Sequence, residues 1–148
     1  MQDGGVSDPY NLRRFVEAQD SMFEGALAEL RSGAKRSHWM WFIFPQFSGL
    51  GRSPTAQHYA IASIDEARAY LQHPLLGPRL HWAVEALLPW AGRRSAEQIF
   101  GPLDAVKLKS SLTLFDRVER GAIFERALAA LYDGAPDQQT LALLNLEA

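Results

Sequence analysis

Helix-capping residues cut this chain into short segments, and that punctuation constrains the fold more than any other feature. Asp8-Pro9 and Ser53-Pro54 each place a short polar side chain before a proline. The side chain can accept the free N–H groups of a first helical turn, and proline at the first position lacks an N–H that would go unused. Ser21-x-x-Glu24 and Ser63-x-x-Glu66 have the spacing of a capping box, Ser95 and Asp137 are two more caps, and Pro102 opens a further segment. Gly33 and Gly134 supply stops, and Pro45, Pro74 and Pro89 supply breaks.

After each start, apolar residues recur at three- and four-residue spacing. Leu12, Phe15 and Val16 share one face, as do Phe23, Ala26, Leu27 and Leu30, then Ala67, Tyr70 and Leu71. Leu80, Val84 and Leu87 repeat the pattern, followed by Leu108, Leu112 and Phe115, Phe124, Leu128 and Leu131, and finally Leu141 and Leu144. No alternating run is long enough to demand a sheet. The expected architecture is all-α: one compact domain over residues 8–148, of about seven to nine short helices in an irregular orthogonal array. Residues 1–7 are expected to form a flexible N-terminal segment.

Composition narrows the function classes. The 148 residues are 47% hydrophobic and 22% charged, ordinary globular proportions, and suffice to bury a core without metal or disulfide. A formal net charge of −2 gives no basic field for nucleic acid, so nucleic-acid binding ranks behind other readings. Cysteine is absent, which removes thiolate catalysis and Cys-based zinc sites. No basic stretch followed by an apolar run opens the sequence, and the longest apolar run, Trp39 to Pro45, falls far short of the ~20 residues that span a bilayer. A cytoplasmic protein without membrane attachment, metal or cofactor is the expectation; oligomeric state is left open.

One segment departs from ordinary patterning. His38 to Phe44 holds four aromatic residues, Trp39, Trp41, Phe42 and Phe44, on nearly all sides of any regular element. One reading is a short buried helix, capped at Ser37 and ended before Pro45, that fills the core; Trp41 is then a core residue. The other makes the segment the wall of a ligand pocket, with His38 and Gln46 as polar handles and Trp39 or Trp41 as the stacking face. Directly after it, Gly49, Gly51, Arg52 and Ser53 combine a pliant backbone, a fixed cation and a helix start, the ingredients of an anion site. A tight connection with a solvated arginine explains the same residues without a ligand.

Elsewhere the signals are plainer. Asp104, Lys107 and Ser111 lie three and four apart on one helix face, a spacing in which a lysine could activate a serine, but no nucleophile elbow accompanies them. No catalytic residue is assigned. His58, His73 and His81 lack metal-ligand spacing, and Arg13-Arg14, Lys35-Arg36 and Arg93-Arg94 read as solvated pairs.

SHWMWFIFPQ, then GLGRS, AYLQHPLLGPRL, and IFG with LDAVKLKSSLTLF resemble, in order and from about Asp8 to Leu144, a bacterial family of unknown function, the domain of unknown function eighteen-ten. The resemblance implies a small, mainly α-helical fold and no established activity. Members often carry the label calpastatin-like, which fits poorly, because such inhibitors are long disordered chains and this sequence is apolar and capped. The family pattern shares His38, Trp39, Trp41, Pro45, Gln46, Gly49, Gly51, Tyr59, Lys107 and Thr113.

Two functional expectations follow. The first is a domain that binds a small anionic, aromatic, nucleotide-like ligand through His38, Trp39, Gln46, Gly49, Gly51, Arg52, Ser53 and Lys107. The second is a regulatory protein–protein interaction domain that docks a partner through exposed aromatics. Whether Trp39 and Trp41 line a concavity, form an exposed patch or are buried separates them.

Overall fold

The computed structural model describes residues 7–147, so most of the expected flexible segment, residues 1–6, lies outside the described residues. Among the described residues ten α-helices follow one another: α1 (Arg13–Asp20), α2 (Phe23–Arg31), α3 (Met40–Ile43), α4 (Pro54–His58), α5 (Ile64–Gln72), α6 (Leu76–Glu85), α7 (Ala96–Phe100), α8 (Pro102–Val118), α9 (Ile123–Tyr132) and α10 (Gln138–Glu147). A 3-10 turn, Leu88–Trp90, carries the chain past Pro89 between α6 and α7. The fold is all-α. Among the described residues the only extended pairing is an isolated parallel bridge between Phe47 and Ile61. No described helix is long and apolar enough to cross a membrane.

Most of the punctuation works as the sequence suggests. Ser53 Oγ accepts from the Ala56 N–H at 3.1 Å, and Asp137 Oδ2 accepts from the Thr140 N–H at 2.9 Å. Ser95 and Gln98 complete a reciprocal capping box at the start of α7. Ser63 caps α5, but Glu66 makes only half a box: its carboxylate takes the Ala62 N–H instead and pairs with Arg14. At the end of α2, Gly33 sits at φ +72°, and the Gly33 and Ala34 N–H groups return to the Leu30 and Glu29 carbonyls. That is the Schellman arrangement.

Three expected starts are corrected. Ser21 does not cap α2: it ends α1 in helical geometry, and Met22 precedes α2 with no side-chain cap. Ser37 does not cap α3 either, because its hydroxyl donates to Glu29, eight residues upstream, at 2.6 Å. Asp8 caps from farther off than Asp8-Pro9 implied. Its carboxylate accepts from the Leu12 and Arg13 N–H groups across a turn in which Asn11 takes φ +52°.

The core is built around α8, which packs on α5, α7, α9 and α10. Every residue from Ser110 to Asp116 is buried, so this half of the helix has no solvent face and its polar groups need internal partners. Ser110 Oγ meets Thr140 Oγ1 at 2.7 Å; the Thr113 hydroxyl donates to the Lys109 carbonyl and accepts from the Asp137 N–H. One arginine secures the opposite side. The Arg14 guanidinium donates to the carbonyls of Tyr10, Asn11, His58 and Ala60 and to the Glu66 carboxylate, tying α1 to the exit of α4 and to α5.

Candidate functional site

The aromatic motif is a packing hub. Trp39 is fully buried, and its indole N–H donates to Glu29 at 3.0 Å. Glu29 also accepts from the Arg36 and Ser37 N–H groups and from the Ser37 hydroxyl. Burial raises the pKa of this carboxyl, but the Ser37 hydroxyl, the Arg36 N–H, the Trp39 indole and the Ser37 N–H together outweigh it, taking it from 4.5 to about 2. Lys35 lies over the Trp39 ring, 5.0 Å from its centre, donates to the Ser37 carbonyl and pairs with Asp104 at 2.9 Å.

Trp41 is not the core residue that its setting suggested. It is half-buried, and the Lys107 ammonium caps its ring at 4.5 Å. Trp39 precedes α3 in non-helical geometry and faces inward, while Trp41, inside the helix two residues on, turns to the α8 surface. Lys107 in turn pairs with Asp104 at 3.3 Å. Ser111 is buried with no hydrogen-bond partner among the described residues, so lysine and serine of that face serve separate surroundings.

His38 is exposed. The Gln46 carbonyl accepts from the Ile61 N–H at 2.8 Å, beside the Phe47–Ile61 bridge. Gly49 has φ +102°, and a Cβ there would come within 3.3 Å of Leu143; a Cβ on Gly51 would come within 2.5 Å of the Ala56 Cβ. Internal packing thus accounts for both glycines. Arg52 is exposed beside Leu143 and Gln139 of α10, while Ser53 caps its own helix.

A cleft that combines aromatic faces with charge lies elsewhere, at the junction of α2, α6 and the 3-10 turn. A cleft of about 510 Å³ is lined by Arg31, Trp82, Glu85, Pro89, Trp90 and Arg93. Trp82 is 52% exposed and its ring lies 6.4 Å from that of Phe23. Trp90 is held from behind: its indole N–H donates to the Leu30 carbonyl, and Gly33 presses against its ring so closely that a Cβ would sit 2.7 Å away. The Arg93 guanidinium stacks at 5.1 Å from the Trp90 ring centre. Among the described residues, neither Arg31 nor Arg93 has a carboxylate within salt-bridge distance. No group of three or more His, Asp or Glu side chains there is arranged to hold a metal.

Sequence reasoning passed over this cleft, although a signal was present. The buried face of α6 is Leu76, Leu80, Ala83 and Val84, which leaves Trp82 on the solvent side of the helix. A tryptophan on the polar face of an amphipathic helix, eight residues before a second tryptophan and eleven before Arg93-Arg94, is the trace it leaves in the sequence.

Comparison with known proteins agrees with the fold. A family model described as protein of unknown function (DUF1810) matches residues 9–144. The crystal structure of the conserved hypothetical protein Rv1873 from Mycobacterium tuberculosis is similar at 51% sequence identity, with a TM-score of 0.90 over 93% of this chain and 99% of that one. No curated protein matches the chain.

Proposed function

The chain belongs to the DUF1810 family of proteins of unknown function, and from this starting point we propose that it is a cytoplasmic binding domain for a small aromatic anion, held in the Trp82–Trp90 cleft. One observation carries the reading: two indoles, and two guanidiniums with no carboxylate partner among the described residues, line the same cleft. Its volume falls within the range of about 300–1,000 Å³ usual for small-molecule sites. Tryptophan offers a flat face to a planar ring, and arginine offers a forked donor that matches carboxylate or phosphate.

Tryptophan emission is a direct test, because Trp82 is both probe and proposed contact. Titrating a mononucleotide should quench part of the emission in the native protein. The quench should be lost in Trp82→Ala and weakened at least tenfold in Arg31→Ala or Arg93→Ala, as for removal of a charge-assisted hydrogen bond of about 1.5–3 kcal/mol. Unchanged emission and no calorimetric heat at millimolar ligand would reject the reading.

A second reading, a regulatory interaction domain, is favoured by a different surface. Leu103 and Val106 are 78% and 59% exposed and lie one turn apart on α8. This patch sits beside a shallow groove floored by Ala105, Leu131 and Tyr132. Light scattering across a concentration series tests for self-docking there: association abolished by Leu103→Ser together with Val106→Ser supports it, and a monomer at all concentrations counts against a second copy as the partner.

A further inference from the structure

A second hollow opens directly beside the tryptophan cleft and shares Arg93 with it. About 310 Å³ in volume, it is lined by Gly92, Arg93, Arg94, Ser95, Gln98 and Leu131. Its two charged groups are both guanidiniums, whereas the tryptophan cleft holds the Glu85 carboxylate. The two compartments share Arg93 and both carry two guanidiniums, but only the first balances part of that charge with a carboxylate, so the second is the more positive. The second hollow, with no carboxylate among its lining residues, is the better place for the far end of a phosphate chain, while Glu85 in the first can accept N–H groups from the edge of a base.

The two arginines are also held in place. Arg93 has one face on the Trp90 ring, which leaves its in-plane N–H groups available. Arg94 donates through one terminal nitrogen to the Gln98 carbonyl at 3.1 Å, which orients the guanidinium and leaves its other donors unused. Neither has a carboxylate partner among the described residues. Gly92, at φ +75° with nothing within 4 Å of where a Cβ would be, turns the chain into this pair.

We infer that the ligand is a nucleoside di- or triphosphate, its ring against Trp82 in the first cleft and its phosphate chain running across Arg93 to Arg94 in the second. This rests on the cleft reading above and adds to it a direction and a charge. The fitting base presents N–H donors to Glu85, so the guanine series, whose edge carries two adjacent donors, is the probe of choice.

Calorimetry with guanosine, GMP, GDP and GTP, on the native protein and on Arg94→Ala, Trp82→Ala and Glu85→Gln, tests it. The expected result is a ladder in which GDP and GTP bind about tenfold or more tighter than GMP, one charge-assisted contact's worth. Arg94→Ala should remove that advantage, bringing GDP and GTP to about the affinity of GMP for the same variant, and Trp82→Ala should weaken every member equally. Glu85→Gln should weaken the guanine compounds. Circular dichroism of each variant, compared with the native spectrum, assigns any loss to the site and not to unfolding. GMP binding as tightly as GTP, or a ladder that survives in Arg94→Ala, overturns the inference while leaving the cleft reading intact. Absence of binding by all four compounds overturns both.

Discussion

Two regions of this molecule have nearly the same ingredients and opposite accounting of their polar groups. Lys35 to Trp41, with Asp104 and Lys107, and Arg31 with Trp82 to Arg94, each combine two tryptophans with basic side chains. In the first, Trp39, Glu29, Lys35 and Lys107 all find partners inside the protein. In the second, Trp82 stands half in solvent, and Arg31 and Arg93 have no carboxylate within salt-bridge distance among the described residues. Composition alone therefore does not separate a packing hub from a surface free to bind. The satisfaction of each group does.

Replacing the matching tryptophans puts the contrast at greatest risk. Trp39→Ala should cost about 3–5 kcal/mol in urea unfolding, since it empties a large buried site and removes one of the donors to the Glu29 carboxylate. Trp82→Ala should cost under about 1 kcal/mol, on the scale of a surface change. Equal losses would erase the distinction between the two regions.

The next effect is a pH dependence that arises at the hub. Folding lowers the pKa of Glu29 from 4.5 to about 2, so between those values the unfolded chain binds more protons. The contribution is present above about pH 4.5 and is lost as pH falls toward 2. After discounting for solvent around a partly exposed carboxyl, it amounts to about 1–2 kcal/mol. Glu29→Gln should flatten the difference in stability between pH 5 and 3; a Gln variant with the native acid profile would assign that dependence to another carboxyl.

Gly33 joins the two regions, so its replacement sharpens the comparison. It ends α2 at φ +72° and lies under the Trp90 ring. Gly33→Ala should cost about 1–2 kcal/mol through backbone strain alone, with the contact against Trp90 adding to it. It should also shift Trp90 emission and weaken ligand binding, although Gly33 itself is buried behind the cleft. Native emission in this variant would show that Trp90 does not depend on the glycine.

The smallest expected effect separates the cations. Lys107→Ala removes both a ring contact and a partner of Asp104 and should cost about 1 kcal/mol. Arg31→Ala should leave stability within about 0.5 kcal/mol and act on ligand affinity instead. A destabilised Arg31→Ala would mean that this guanidinium is part of the scaffold.

Most helix starts were legible because Ser53, Ser63, Ser95, Pro102 and Asp137 act on residues within one turn of themselves. Ser21 and Ser37 misled for physical reasons. Ser21-x-x-Glu24 has capping-box spacing, but α1 runs almost directly into α2 and holds the serine in helical geometry. Ser37 is claimed by Glu29, a partner that only the folded α2 supplies. Local sequence likewise could not tell Trp39 from Trp41, because four residues of helix carry too little periodicity to define a buried face. The cleft needed α6 and the 3-10 turn to be set beside the end of α2, a tertiary arrangement. Only the misplaced side of Trp82 hinted at it.

The Phe47–Ile61 bridge has a bearing on how this fold can change in length. Its hydrogen bonds, Ser48 N–H to Ile61 carbonyl and Ile61 N–H to Gln46 carbonyl, both 2.8 Å, pin the two ends of residues 48–60 together. Arg14 holds the far end by the His58 and Ala60 carbonyls. The segment is thus closed on itself, and its exposed turn at Arg52–Ser53 can be lengthened without shifting the register of any helix that builds the core. Doubling such a loop adds only about 0.6 kcal/mol of closure entropy. Within the α-helical scaffold, this is the natural port for grafting a reporter peptide or an inserted domain.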